Sequence, residues 1–112
     1  MHELSIAQSL VESIRAEAAV HHAARVTRVG VRVGEQSGVE PDALKFSFDV
    51  IVRGTELEQT TLDIERMQLR HRCERCARDF AVIDYVLVCP DCGASTRTIS
   101  GDELQMTYLE LE

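Results

Sequence analysis

The sequence predicts an α+β fold: a small three-stranded sheet with two helices, interrupted by a four-cysteine lobe. Three observations predict it. Two stretches carry apolar residues at helical spacing, and each is followed by a stretch in which apolar residues alternate. All four cysteines fall in one short segment as two Cys-x-x-Cys pairs. The chain returns to an alternating apolar pattern after that segment, so the cysteine lobe splits the sheet. The division expected is residues 1–69 plus 100–112 for the α/β part and 70–99 for the lobe.

The first helix is expected from Ser5, as an N-cap paired with Gln8 three residues on, to about residue 22. Ala7, Leu10, Val11, Ile14 and Ala18 form its apolar face, and Glu12, Arg15 and Glu17 lie off it. His21 and His22 fall in its last turn, where a histidine interacts favourably with the helix C-terminus. Val26–Gly34 reads as a strand, with Val29, Val31 and Val33 on one face. After the loop Gly34-Glu-Gln-Ser-Gly38, Pro41 suits the first position of the second helix and Asp42 its first turn. Leu44, Phe48, Ile51 and Val52 supply that helix's buried stripe, and Gly54 suits its C′ position. Thr60–Glu65 reads as a second strand through Leu62 and Ile64, ending near Arg66. In the third strand, Leu104–Leu111, Leu104 and Met106 are out of phase with Leu109 and Leu111. A bulge or burial on both faces is required there.

The lobe is read from Cys73-x-x-Cys76 and Cys89-Pro-Asp-Cys92-Gly93. Two residues between thiols put both sulfurs on one tight turn, so each pair supplies half a tetrahedron. The segment between the pairs allows a short hairpin that sets the second pair opposite the first. This is the pattern of a closed structural zinc site, with zinc–sulfur bonds of about 2.3 Å, and it makes the lobe zinc-ribbon-like. Some thirty residues bury too little surface to fold unaided, so metal must stabilise them. Two disulfides fit the count, but disulfides go with secretion, and Met-His-Glu-Leu-Ser is not a secretory start. A redox site needs only one pair, and iron in the same cage is compatible with the spacing. His71 is expected to stand behind the ligands rather than among them. Arg66, Arg70, Arg72, Arg75 and Arg78 surround the first pair and offset the thiolates' charge, or else form a patch for an acidic partner.

Twelve basic and nineteen acidic side chains give a net charge of −7, with only three Phe and two Tyr as aromatics. That composition argues against a nucleic-acid partner. No run approaches the about 20 apolar residues of a membrane helix, so no membrane partner is expected. A catalytic zinc is also disfavoured, because four cysteines leave no open coordination position.

Met1-His2-Glu3 offers a different set of donors. The terminal amine, the His2 imidazole and the intervening amide nitrogens form one chelate for a metal that favours a square plane. Nickel(II) and copper(II) do so and zinc does not. A cation there opposes the helix macrodipole by a few tenths to about 1 kcal/mol. Spacing alone permits this site without requiring it; the segment also reads as a plain helix lead-in.

Taken together, several pieces resemble the HypA family of nickel metallochaperones. These are Met1-His-Glu-Leu-Ser5, Val33-Gly-Glu-Gln-Ser-Gly-Val-Glu40, Pro41-Asp-Ala-Leu44, Arg53-Gly-Thr55, the four cysteines, and Gly101-Asp-Glu-Leu104. The resemblance covers nearly the whole chain. It implies a nickel site in which His2 is the essential ligand, Met1 gives its amine, and Glu3 gives a backbone nitrogen or influences the partner contact. An acidic residue at the position of Glu40 lies near nickel in some members, where others have Asp. In some members a lobe histidine completes the nickel sphere; this chain has none after His71. The resemblance further implies a cytoplasmic protein, not an enzyme, with Zn(II) as a structural ion and Ni(II) as transient cargo. Its implied partners are a HypB-type GTPase and the large subunit of a [NiFe]-hydrogenase, with urease served by some members. Either a monomer or a homodimer fits, including one formed by domain swapping. The reading from another class is a zinc-ribbon protein-interaction module without a nickel function.

Overall fold

The computed structural model describes residues 2–112; Met1, a nickel ligand in the reading above, lies outside the described residues. The order is α1 (Glu3–Val20), β1 (Val26–Gly34), α2 (Pro41–Ile51), β2 (Thr61–Met67), β3 (Arg70–Cys73), β4 (Asp79–Ala81), β5 (Thr96–Ser100) and β6 (Leu104–Leu111). These make two three-stranded sheets, ordered β2-β1-β6 and β4-β3-β5. The class is α+β, as the sequence predicts. The radius of gyration, 17.5 Å over extents of 54 × 25 × 17 Å, exceeds the about 13 Å of a compact chain of this length. The molecule is elongated.

The first sheet is built on β1. Its Val26, Val29, Val31 and Val33 are buried and meet Ala7, Val11 and Ile14 of α1 and Leu44 and Phe48 of α2 in one apolar cluster. β2 lies parallel to β1 through the α2 crossover, with Arg28 opposite Thr61 and Gly34 opposite Met67. It therefore runs slightly beyond the expected end. β6 pairs antiparallel with β1, and the register steps from Gly30–Tyr108 to Val31–Met106. Thr107 is the extra residue of a bulge. The bulge resets the alternation, so Leu104, Met106, Leu109 and Leu111 all pack against the same core.

Two helix ends differ from the sequence reading. α1 starts at Glu3, with His2 as N-cap, and no side chain caps it. The Ile6 amide already bonds the His2 carbonyl at 3.1 Å, and Glu3 places a carboxylate at the positive end of the dipole. Ser5 is then inside the first turn, so the Ser5–Gln8 capping box does not form. At the other end His22 is left-handed, with φ 50°. The His22 and Ala23 amides bond the Ala19 and Ala18 carbonyls, a Schellman closure with histidine where glycine is usual. In α2, Pro41 opens the helix as expected. Glu40 caps it, its carboxylate accepting from the Ala43 amide at 2.7 Å.

The sheets join through main chain. A Cβ on Gly34 would lie 2.2 Å from the Gly101 carbonyl group, and one on Gly101 would lie 2.4 Å from Leu69 Cα. The Gly34 amide bonds the Glu103 carbonyl at 2.7 Å, and the Gln36 amide bonds that of Gly101 at 2.6 Å. The Glu35 carboxylate accepts from the Leu69 amide at 2.7 Å.

Candidate metal centre

The second sheet carries two turns built to the same plan. In the first, the Cys73 amide bonds the Arg78 carbonyl and the Ala77 amide bonds that of Cys73. In the second, the Cys89 amide bonds the Ala94 carbonyl and the Gly93 amide bonds that of Cys89. The fourth residue after each leading cysteine is left-handed, Ala77 at φ 61° and Gly93 at φ 71°. Gly93 takes that conformation freely; Ala77 adopts it against its Cβ.

The two turns bring all four sulfurs within 4.8 Å of one another. Cys73 Sγ lies 3.5 Å from Cys92 Sγ, and Cys76 Sγ lies 3.7 Å from Cys89 Sγ. A tetrahedron of zinc–sulfur bonds of about 2.3 Å has edges of about 3.8 Å, so the spacing fits such an ion. The donor set is entirely sulfur and complete at four. Cys73 and Cys89 are buried, while Cys76 and Cys92 face solvent.

Backbone amides tune these thiols. Those of Cys76 and Arg75, 3.4 and 3.3 Å from Cys73 Sγ, hold the Cys73 thiol down at about 6. Cys89 is lowered likewise by the Cys92 and Asp91 amides. For Cys76 the Arg78 amide pulls the same way, but the neighbouring Cys73 sulfur and burial outweigh it, and the thiol is pushed up to about 11. Cys92 is raised in the same manner, against the pull of the Ala94 amide. The amides thus favour the thiolate form at Cys73 and Cys89, the form in which cysteine binds a metal.

The arginine cluster has a mixed role. Arg72 is bidentate to Asp79 at 2.5 and 3.0 Å, and Arg66 binds Asp42 at 2.9 Å. Arg78 pairs with Asp91 at 2.5 Å; the Asp91 bond, and then the Cys89 and Cys76 charges, raise its pKa. Only Arg78 thus both pairs with a carboxylate and offsets the thiolates. Arg75 contributes a backbone N–H.

His71 is buried. Thr96 Oγ1 lies 2.9 Å from its Nδ1 and Thr98 Oγ1 lies 3.0 Å from its Nε2. Thr96 also donates to the Leu87 carbonyl. A hydroxyl has one proton, so Thr96 must accept from His71, which fixes the Nδ1–H tautomer and leaves Nε2 to accept from Thr98. Both nitrogens are engaged, and His71 stands outside the sulfur set. Sequence reasoning passed over Thr96 and Thr98; their alternate spacing on β5, opposite His71, was the available signal.

At the other end, His2 is exposed in extended backbone. The Glu3 carboxylate accepts from the Glu40 amide at 3.5 Å, which brings the chain start against the loop before α2. A cleft of 600 Å³ opens beside Glu40, lined also by Glu35, Val39, Pro41 and Arg66. Glu40 is in reach of this end, but its carboxylate serves the α2 cap.

The HypA family profile, described as hydrogenase/urease nickel incorporation, metallochaperone, matches residues 1–111. The chain belongs to the HypA family. A hydrogenase maturation factor HypA from Roseiflexus sp. is 48% identical, covering 100% of this chain and 93% of that protein. The HypA of Geobacter metallireducens is 43% identical, with both chains covered in full at 100%. A solution structure of a HypA protein matches 100% of this chain and 97% of its own at 26% identity and a TM-score of 0.73. The solution structure of the Ni metallochaperone HypA from Helicobacter pylori has a TM-score of 0.68 at 24% identity, covering 99% and 97% of the two chains. That likeness speaks to the fold. As a HypA, the chain is one of the hydrogenase maturation factors of the nickel-incorporation class, with a four-cysteine metal-binding cluster.

Proposed function

We propose that this HypA binds Ni(II) through Met1, His2 and Glu3 and hands it, by way of a HypB-type GTPase, to the large subunit of a [NiFe]-hydrogenase in the cytoplasm. Urease is a second recipient compatible with the family description. The observation that carries the reading is at His2: its imidazole is exposed and, among the described residues, makes no capping hydrogen bond at the N-cap of α1. Glu3 beside it is drawn to the Glu40 loop. Family membership supports the cargo.

The chemistry follows from donor type. A chelate of amine, imidazole and amide nitrogens suits nickel in a square plane. It sits on a chain end, so ligands can exchange without opening a core. The α1 dipole opposes the cation by a few tenths to about 1 kcal/mol, which favours release over storage. Glu40 lends negative charge to the neighbourhood while remaining the α2 cap. Cys73, Cys76, Cys89 and Cys92 would hold Zn(II), whose contribution is to fold residues 70–99 as a unit apart from residues 1–69 and 100–112. No substrate bond is made or broken, so the protein carries rather than catalyses.

Calorimetric nickel titration of zinc-loaded protein with its native N-terminus tests this, beside His2→Ala and a variant extended by one N-terminal residue. One tight equivalent, lost in both variants while zinc stays bound, is the expected result. Equal weak binding in all three would leave a zinc-ribbon interaction module without nickel function.

A further inference from the structure

β6 is the outermost strand of its sheet and pairs only with β1. Edge strands are ordinarily guarded by lysine, proline or inward-turned charge. β6, Leu-Gln-Met-Thr-Tyr-Leu-Glu-Leu, has no lysine, arginine or proline. Its one charged side chain, Glu110, is turned toward Arg28 at 3.5 Å. The Thr107 bulge and a second register shift, where Thr27 is skipped between Leu111 and Glu110, are its irregularities.

Beside this edge runs a groove between β6 and α1. Its first part is a cavity of 310 Å³ between Ser5, Ser9 and Ser13 of α1 and Leu104 and Met106 of β6, with Leu10 and Val31 beneath. A second cavity of 350 Å³ continues it between Glu17 of α1 and its C-cap His21 on one side and Met106, Leu109 and Leu111 on the other. Met106 lines both. The groove thus follows the strand from end to end. It combines an unpaired backbone ladder with apolar recesses that would take alternate side chains, which are the two requirements for recognition by strand addition.

Charge identifies the occupant. The helical wall carries the exposed carboxylate of Glu17, which lines the second cavity, and the only arginine or lysine on α1, Arg15, is tied to Glu56 at 2.5 Å. Asp102 and Glu103 precede β6, while Glu112, which follows it, is paired with Arg25 at 2.7 Å. A second copy of the chain, also at −7, would set its own Glu110 against this acidic rim.

We propose that the α1–β6 groove docks an extended basic segment of a partner protein, with apolar residues at alternate positions, which adds to the β2-β1-β6 sheet alongside β6. This surface is independent of the nickel reading, since none of His2, Glu3 or Glu40 lines it.

The test uses the zinc-loaded full chain and three peptides of about ten residues. One alternates lysine and valine, one alternates glutamate and valine, and one is the lysine–valine peptide N-methylated along one edge. Amide exchange and chemical shifts report the site. The lysine–valine peptide is expected to bind, protect the Leu104–Leu111 amides and weaken with salt. Ser9→Trp, which fills the groove from an exposed position, should cut its affinity by about ten-fold or more, and Glu17→Lys should flatten the salt dependence. Equal binding of the glutamate or N-methylated peptide overturns the proposal, as does protection elsewhere on the molecule or no binding at about 1 mM. β6 protection that grows with protein concentration alone, with a dimer in sedimentation, would assign the edge to a second copy and overturn it as well.

Discussion

The Tyr108 hydroxyl donates a hydrogen bond of 2.6 Å to Asp63, joining the two outer strands of the first sheet across its central one. The ring lies directly over Gly30, where a Cβ would approach Tyr108 Cε1 to 2.0 Å. Gly30→Ala must push this ring aside and should cost about 1–3 kcal/mol, as overpacking does. Urea denaturation should show a lower midpoint with an unchanged slope; an unchanged midpoint would mean the ring is not seated there in solution.

The same bond has a pH signature. Hydrogen bonding to Asp63, then burial, raises the Tyr108 phenol above its ordinary value. The raised pKa means a contribution to stability that is complete below the ordinary phenol range and fades as pH rises through the shifted value. Ultraviolet titration should find one late-ionising tyrosine, restored to the ordinary range by Asp63→Asn.

His22 holds a left-handed C′ position that glycine occupies without penalty. His22→Gly should stabilise the chain by about 0.5–1 kcal/mol, the relief at the fold outweighing the greater freedom of the unfolded chain. Thermal melts check this, and a drop in Tm would argue that the His22 ring makes a compensating contact.

Metal uptake should release fewer protons than there are cysteines. With Cys73 down at about 6 and Cys89 also lowered, part of the cage is already ionised at neutral pH, and binding weakens as pH falls. Calorimetry of zinc binding in buffers of different ionisation enthalpy counts the protons. Release of a full complement at pH 7 would contradict the amide tuning of Cys73. Cys73→Ala should abolish zinc retention and strip exchange protection from the β3 and β5 amides while sparing β1.

The His71 ring should carry a proton on Nδ1 by nitrogen NMR. Thr98→Val removes the donor to Nε2 and should loosen β5 against β3. An Nε2–H tautomer would mean that Thr96 does not give its proton to Leu87.

Much of this was legible in the sequence. The alternating valines of β1 set its limits at Val26 and Gly34, because a half-buried strand has one solution to that pattern. The phase break between Met106 and Leu109 announced the bulge, and the cysteine spacing announced the cage. Helix ends were harder. Ser5 with Gln8 is a good local cap, yet the Ile6–His2 bond closes the turn earlier. His22 gave no signal because its left-handed turn is imposed by packing, not by glycine. The arginines were read as one electrostatic group, but their partners Asp79, Asp91 and Asp42 are chosen by the fold and could not be assigned from charge alone.

The seam where Gly34, Gly101 and Leu69 meet is main chain against main chain. Of the hydrogen bonds there, only that of the Glu35 carboxylate to the Leu69 amide depends on a side-chain rotamer. Tilting one sheet against the other must strain the Gln36–Gly101 and Glu35–Leu69 bonds, which tie the loop after β1 to the ends of β5 and β3. A pull on the cysteine lobe is therefore felt first in the loop that leads to Glu40, because Gln36 of that loop bonds Gly101 at the end of β5.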